Sequence, residues 1–286
     1  MHRGVTVVFL RAWHTPKSRR VGGTVRSASR MEAIMSLMVG GGPFGPGGGQ
    51  FSFGPIPDNL WYVEDWPRRM RAVFAGETVL DSRRGKLLHE RGAFPAHYYP
   101  MAELRADLLV PADEPGRWSV TARGRSAHGA VTARNGVAPL DGYVTVDHGA
   151  MDRWFEEDDP VYAHPRDPYH RVDVRASSRH VVVRHNSEVI AGSRRPKLVF
   201  ETGIPVRYYL PITDVRIDLL DKSDTVSQCP YKGDGQHWHL RTVDTRIDDA
   251  AWSLPHPLPE GFAAAQHICF YPDKVDIEVD GEPVKA

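Results

Sequence analysis

Beyond about residue 59 the chain consists of short runs in which apolar and polar side chains alternate, or a few apolar residues stand together. Gly, Pro, Asn or Asp close most runs. A period of two belongs to a strand with one buried face, because successive side chains point to opposite sides of a sheet. Residues 69–80 (RMRAVFAGETVL) and 179–191 (RHVVVRHNSEVIA) each read as two strands around an Ala-Gly or an Asn-Ser turn, a hairpin signal. KLLHE (86–90) and KLVFE (197–201) predict brief apolar strands, and HWHLRTV (237–243), AAQHICFY (264–271) and KVDIEVDG (274–281) predict more. No stretch of ten or more residues holds a 3.6-residue period. MAELRADLL (101–109) predicts a helical turn or two, an expectation weakened by its β-branched counterpart ITDVRIDLL (212–220). The pattern is that of an all-β protein with minor helix.

The pattern also occurs twice. Shifting the chain by 111 residues lays 77–109 on 188–220 without a gap, and fourteen of the thirty-three positions are identical. Among them are Ser82/Ser193, Glu90/Glu201, Gly92/Gly203, Tyr98/Tyr209, Pro100/Pro211 and Asp107/Asp218. Duplication is the simplest source of such self-similarity. Two tandem copies of one small antiparallel domain are therefore expected, over residues 56–160 and 161–286. Residues 1–55 differ, passing from Arg/Ser-rich sequence into MSLMVGGGPFGPGGGQ (35–50). That density of Gly and Pro cannot pack a core and reads as a disordered leader, with Met1, Met31, Met35 and Met38 all available as starts.

Composition narrows the partners. An apolar share of 41% with 25% charged residues is that of a soluble globular protein. Thirty-six basic residues balance thirty-six acidic ones, so no general attraction to polyanions arises, and neither nucleic acid nor a membrane is expected as a partner. The apolar run 5–13 is broken by Arg11 and falls short of a signal peptide or of the roughly twenty residues a span needs. Cys229 and Cys269 are too few for a disulfide framework and form no C-x-x-C pair, so a cytoplasmic protein without metal or cofactor is expected.

The repeated block, together with FEEDDPVYAHPRDPYHRVDV (155–174), QCPYKG (228–233) and DDAAWSLPHP (248–257), resembles the bacterial and fungal DUF427 family. The resemblance runs from about residue 59 to 284 as a tandem pair. Glu-x7-Tyr-x-Pro occurs in both copies, and the second adds CPYKG, Trp252 and FYPDKV (270–275). It implies a β-tent fold, in which two antiparallel sheets lean together over a cleft. Several β-tent relatives hold structural zinc on paired cysteines, which this chain lacks. The family also carries a nucleotidyltransferase-like label.

The two copies serve as a comparison. Against Cys229-Pro-Tyr-Lys-Gly233 the first copy, read at nearly the same offset, shows Val120-Thr-Ala-Arg-Gly124. A turn needed only for folding would occur in both, so the second copy is expected to carry the site and the first to be degenerate. A cation beside a thiol lowers its pKa from about 8.5 toward neutrality, which makes Cys229 with Lys232 a candidate nucleophile pair; a small buried apolar side chain is the plainer reading of Cys229. Glu201 is a candidate acid or base, or a structural partner of Arg207 or Lys232, a role favoured by the persistence of Glu90.

Arg207, Tyr209, Tyr231 and Trp252 are candidate ligand contacts, with Tyr271 a further wall, although aromatic residues also line β cores. His237 and His239 share a strand face and invite a metal, but no third ligand is visible. Arg166 and Arg171, in a Pro-rich strap between the copies, are candidate anion contacts. Nucleotidyl transfer needs a Gly-Ser turn closely followed by two carboxylates. Gly192-Ser193 and Asp276/Glu278 lie more than eighty residues apart. The expectation is a small polar ligand in a cleft between the sheets of the second copy, with Cys229, Lys232 and Glu201 as its chemistry. A non-catalytic scaffold or protein-interaction module is one alternative, and a nucleotidyltransferase-like enzyme, as the family label suggests, is another.

Overall fold

The computed structural model describes residues 37–38, 42–45, 49–161 and 164–285. Its chain divides between Tyr169 and His170 into two compact units. Most of the stretch expected as a leader lies outside the described residues. Among those that are described, no helix is long and apolar enough to cross a membrane.

The N-terminal unit contains β1 (Trp61–Trp66), β2 (Met70–Phe74), β3 (Glu77–Ser82), β4 (Gly85–Glu90), β5 (Ala96–Pro100), β6 (Leu109–Pro111), β7 (Arg117–Ala122), β8 (Arg125–Ala133), β9 (Tyr143–Val146), β10 (Arg153–Glu156) and β11 (Asp159–Val161). They form a seven-stranded sheet in the order β1-β4-β5-β9-β8-β7-β6 and a four-stranded sheet in the order β11-β10-β2-β3. The C-terminal unit repeats this plan with β12 (Val172–Ala176), β13 (Val181–His185), β14 (Glu188–Ser193), β15 (Lys197–Glu201), β16 (Arg207–Pro211), β17 (Leu220–Cys229), β18 (Gly233–Arg241), β19 (Arg246–Pro257), β20 (His267–Phe270), β21 (Asp276–Val279) and β22 (Glu282–Pro283). Its sheets run β12-β15-β16-β20-β19-β18-β17 and β14-β13-β21-β22, and every pairing is antiparallel.

The predicted hairpins are β2–β3 and β13–β14, whose turns place Ala75 and Asn186 at φ of 49°. Both MAELRADLL and ITDVRIDLL form two single 3-10 turns, so β-branching in the second copy did not exclude them. A lone turn fixes too few residues for χ1 restriction to decide the outcome.

Alternation along the strands builds two layers on the large sheet. In the C-terminal unit Leu210, Ala251, Ile268 and Phe270 face the small sheet and pack with Val181, Val183, Ile190 and Ile277. Their neighbours Tyr209, Trp252 and Cys269 point to the opposite, far face, where they pack with Val199, Leu254 and Ala264. The 3-10 segment Pro259–Ala264 packs on that far face against β12 and β19. The space between the sheets, where a ligand cleft was expected, is thus filled by apolar core.

Register aligns the two copies residue by residue. Tyr99 pairs with Val144 as Leu210 does with Ile268, and Trp118 pairs with Val131 as Trp238 does with Ala251. The two copies differ most in one hairpin. Eleven positions separate the paired Leu109 and Val120, whereas twenty separate the paired Leu220 and Leu240, so β17–β18 is nine residues longer than β6–β7. The CPYKG turn is the tip of that extension. Val120-Thr-Ala-Arg-Gly124 is not its counterpart, because it enters the following turn, between β7 and β8.

Candidate functional site

Each chemical side chain reaches the far face by strand alternation. Glu201 ends β15, two positions beyond Val199, and Arg207 begins β16, two before Tyr209. The longer hairpin carries its tip to this face from the other end of the sheet order. There Lys232 forms an ion pair with the Glu201 carboxylate, and His170, just ahead of β12, hydrogen-bonds the other carboxylate oxygen at 3.0 Å. The Tyr231 ring stacks on His170 with centroids 4.1 Å apart.

The tip is clamped from behind. Leu258 N–H donates to the Lys232 carbonyl at 3.0 Å. A Cβ on Gly261 would lie 2.8 Å from that same oxygen and 3.2 Å from Lys232 Cα, so only glycine lets the 3-10 segment close in.

The ion pair is largely buried. Side-chain exposure is 3% at Glu201 and 14% at Lys232. Burial alone would raise the Glu201 pKa; the hydrogen bond from His170 and the charge of Lys232 outweigh it, and the carboxyl titrates below its ordinary range. In the N-terminal unit Glu90 pairs with Arg134, which follows the end of β8, at side-chain exposures of 33% and 44%. Both copies therefore keep the glutamate and neutralise it, but from different elements and at different depths.

Around this pair lie the aromatic residues. Trp252 Nε1 donates to Tyr209 Oη at 2.8 Å, and the Arg207 guanidinium sits 5.8 Å from the Trp252 ring. Tyr271 contacts Trp252 at 4.3 Å between centroids. Tyr209 is fully buried, and burial, with Cys269 close by, pushes its hydroxyl pKa well above the ordinary value. Burial likewise pushes the Cys269 thiol up to about 12. Cys229 is half-buried, and its sulfur accepts the Lys232 backbone N–H at 3.4 Å, while the Lys232 ammonium turns to Glu201.

The expected residues Cys229, Lys232, Glu201, Arg207, Tyr209, Tyr231 and Trp252 are all gathered in the C-terminal unit. Glu201 and Tyr209 have counterparts in Glu90 and Tyr98, whereas the register puts Ala96 at Arg207 and Thr132 at Trp252. His170 was missed, because it reads as part of the Pro-rich strap; its one signal was its place just before the first strand of the copy.

His237 and His239 do turn to one face but to separate partners, Ser227 Oγ at 3.1 Å and the Asp249 N–H at 3.1 Å. Arg171 pairs with Asp173 at 2.9 Å. Among the described residues no three His, Cys, Asp or Glu side chains converge as metal ligands would. Gly192-Ser193 and Glu278 come within two strands of each other through β13, yet the Ser193 hydroxyl donates to Asp214 at 2.7 Å and Glu278 pairs with Arg184. Two surface clefts lie elsewhere: one beside Trp118, Arg134 and Tyr143, the other beside His185, Asp273 and Lys274.

Two units on one plan, each a seven-stranded sheet backed by a four-stranded one, define a duplicated antiparallel β protein with one elaborated copy. The family described as Domain of unknown function (DUF427) matches residues 62–157 and again 173–281, and the chain belongs to that family. No curated protein matches it.

Proposed function

We propose that the C-terminal unit binds a small, negatively charged polar molecule on the far face of its large sheet. Lys232 and Arg207 are the cationic contacts, and Tyr209, Tyr231 and Trp252 form the walls. Glu201 and His170 fix the Lys232 ammonium, and Cys229 is the nucleophile available at the lip. The observation that supports this reading is the largely buried Glu201–Lys232 pair, closed on the Glu201 side and partly open at Lys232. A buried ion pair is often no more stabilising than apolar residues of the same volume, so it is a poor choice if stability is its only task. The N-terminal unit folds with a half-exposed pair at the same glutamate.

Thermal-shift screening against small carboxylates, phosphates and sulfates tests the reading. Stabilisation of the wild type is expected, growing with ligand concentration as binding to the folded state requires. It should be lost in the Cys229→Ala, Lys232→Ala double variant and kept in Glu90→Gln. A scaffold without a ligand is the second reading, favoured by the clamped tip and by the commitment of Lys232 to Glu201. It predicts no response, or the same response in the double variant.

A further inference from the structure

Ser227, His237 and Asp249 lie on three adjacent strands of the C-terminal unit, β17, β18 and β19. His237 pairs across the sheet with Trp252, which places it on the far face. Ser227 Oγ is 3.1 Å from His237 Nε2. His237 is 7% exposed, and its Nδ1 is buried without a hydrogen-bond partner among the described residues. The Asp249 carboxylate accepts the Thr225 hydroxyl at 2.9 Å and lies 3.8 Å from His239 Nδ1; it makes no hydrogen bond to His237 but its charge bears on that ring. With the ring proton on Nδ1, Nε2 offers its lone pair to the Ser227 hydroxyl, and the nearby carboxylate stabilises the imidazolium formed when that proton is taken.

Three further observations show that the cluster is built. Gly235 stands opposite Ser227, and a Cβ there would lie 2.5 Å from Ser227 Oγ, so the space of the hydroxyl is kept clear. Asp249 has a left-handed backbone, with φ of 50°. Its counterpart is Gly129 at φ 60°, as the matching bonds from Gly129 N–H to Ser119 Oγ and from Asp249 N–H to His239 Nδ1, both 3.1 Å, establish. Glycine adopts that conformation without strain, whereas the C-terminal unit accepts strain to place a carboxylate there. The position of His237 is held by Arg117 in the N-terminal unit, and Ser227 lies in the hairpin extension that unit lacks. The strands are shared between the copies; the three reactive groups are not.

We propose that Ser227 is an acyl-accepting nucleophile with His237 as its general base and Asp249 acting on His237 through its negative charge, and that this centre hydrolyses small carboxylic esters. Ser227 Oγ bonds to the ester carbonyl carbon as its proton passes to His237 Nε2. The carbon–oxygen bond to the alcohol breaks, and His237 returns that proton to the departing oxygen. Water then attacks the acyl-serine, giving one proton to His237 and on to Ser227 Oγ, and the free acid leaves. Burial lowers the His237 pKa, which keeps the ring in its neutral, accepting form near pH 7.

The test uses the full chain and a fluorophosphonate probe, with mass spectrometry of the modified peptide. The probe forms an Oγ–phosphorus bond, fluoride leaves, and His237 takes the proton. Modification of the wild type at Ser227 is expected, with none in Ser227→Ala. His237→Gln should label at least about a hundredfold more slowly, the scale of general-base assistance. Asp249→Asn should slow labelling and Asp249→Glu restore part of it at a matched melting temperature, a rescue that a purely structural role does not give. Gly235→Ala, which leaves His237 in place, should also abolish labelling by displacing the hydroxyl. A folded wild type that stays unmodified, labelling that persists in Ser227→Ala, or an unchanged rate in His237→Gln overturns the proposal. Glu90→Gln, in the N-terminal unit, should label as wild type does; the ligand screen reads a melting shift without a covalent bond, so the two results stand or fall separately.

Discussion

At the scale of single residues, the site depends on close contacts as much as on charge. Gly261 lets the 3-10 segment press against Lys232, so Gly261→Ala must move the carbonyl of Lys232 or the segment itself. Overpacking of this kind costs about 1–3 kcal/mol. The expected outcome is a chain destabilised by that amount in urea, with the ligand response weakened because Lys232 shifts from Glu201. Glu201, Tyr209 and the Cys229 turn were legible in the sequence, since duplication shows which groups recur and which do not. Ser227 and Asp249 were not, because a serine in a polar strand and one of two adjacent aspartates look ordinary until strand register brings their strands to either side of His237. Asp249 carried a signal of a kind in Gly129, but only a correct alignment of the copies exposes it.

At the scale of elements, the β17–β18 hairpin separates a plain copy from an elaborated one. Cutting its nine extra residues to the length of β6–β7 should leave the apolar layer between the sheets intact, as the N-terminal unit demonstrates with its own short hairpin. Such a variant is expected to keep its far-ultraviolet circular dichroism and to lose both ligand response and fluorophosphonate labelling. Strands and hairpins were readable from alternation and turn residues. The counterpart of the CPYKG turn was not, because a nearly constant offset fails after an insertion; it matched the tip of one hairpin to the turn that follows the other. The far face was also hidden, since alternation tells two faces apart without saying which one another sheet will cover.

At the scale of the whole molecule, the two units have diverged in what they bury. Where the C-terminal unit has Leu210 and Ile277, the N-terminal unit has Tyr99 and Trp154, near His97 and His148. Burial, reinforced by neighbouring histidines, lowers His97 to about 3 and His148 to about 4. The unfolded chain takes up these protons near pH 6.5 while the folded unit refuses them. Stability is therefore fully present above about pH 6.5 and falls as pH drops, until about pH 4 for His148 and pH 3 for His97. Each histidine accounts for about 2 kcal/mol by pH 5. Urea melts between pH 7.5 and 5 should show that decline, and His97→Phe should flatten it; an unchanged slope in that variant would contradict the assignment.

The longer hairpin has one more effect. It leaves β17, ten residues long, at the open margin of its sheet, whereas β6 has three and ends in Pro111. An unpaired backbone of that length is a template on which a strand from another molecule can add. A bulge between Lys222 and Val226 and the charges of Asp221, Lys222 and Asp224 break up that template. Charge and a bulge on an edge strand both oppose such addition, so the longer reach of the tip and the charged character of β17 are physically compatible.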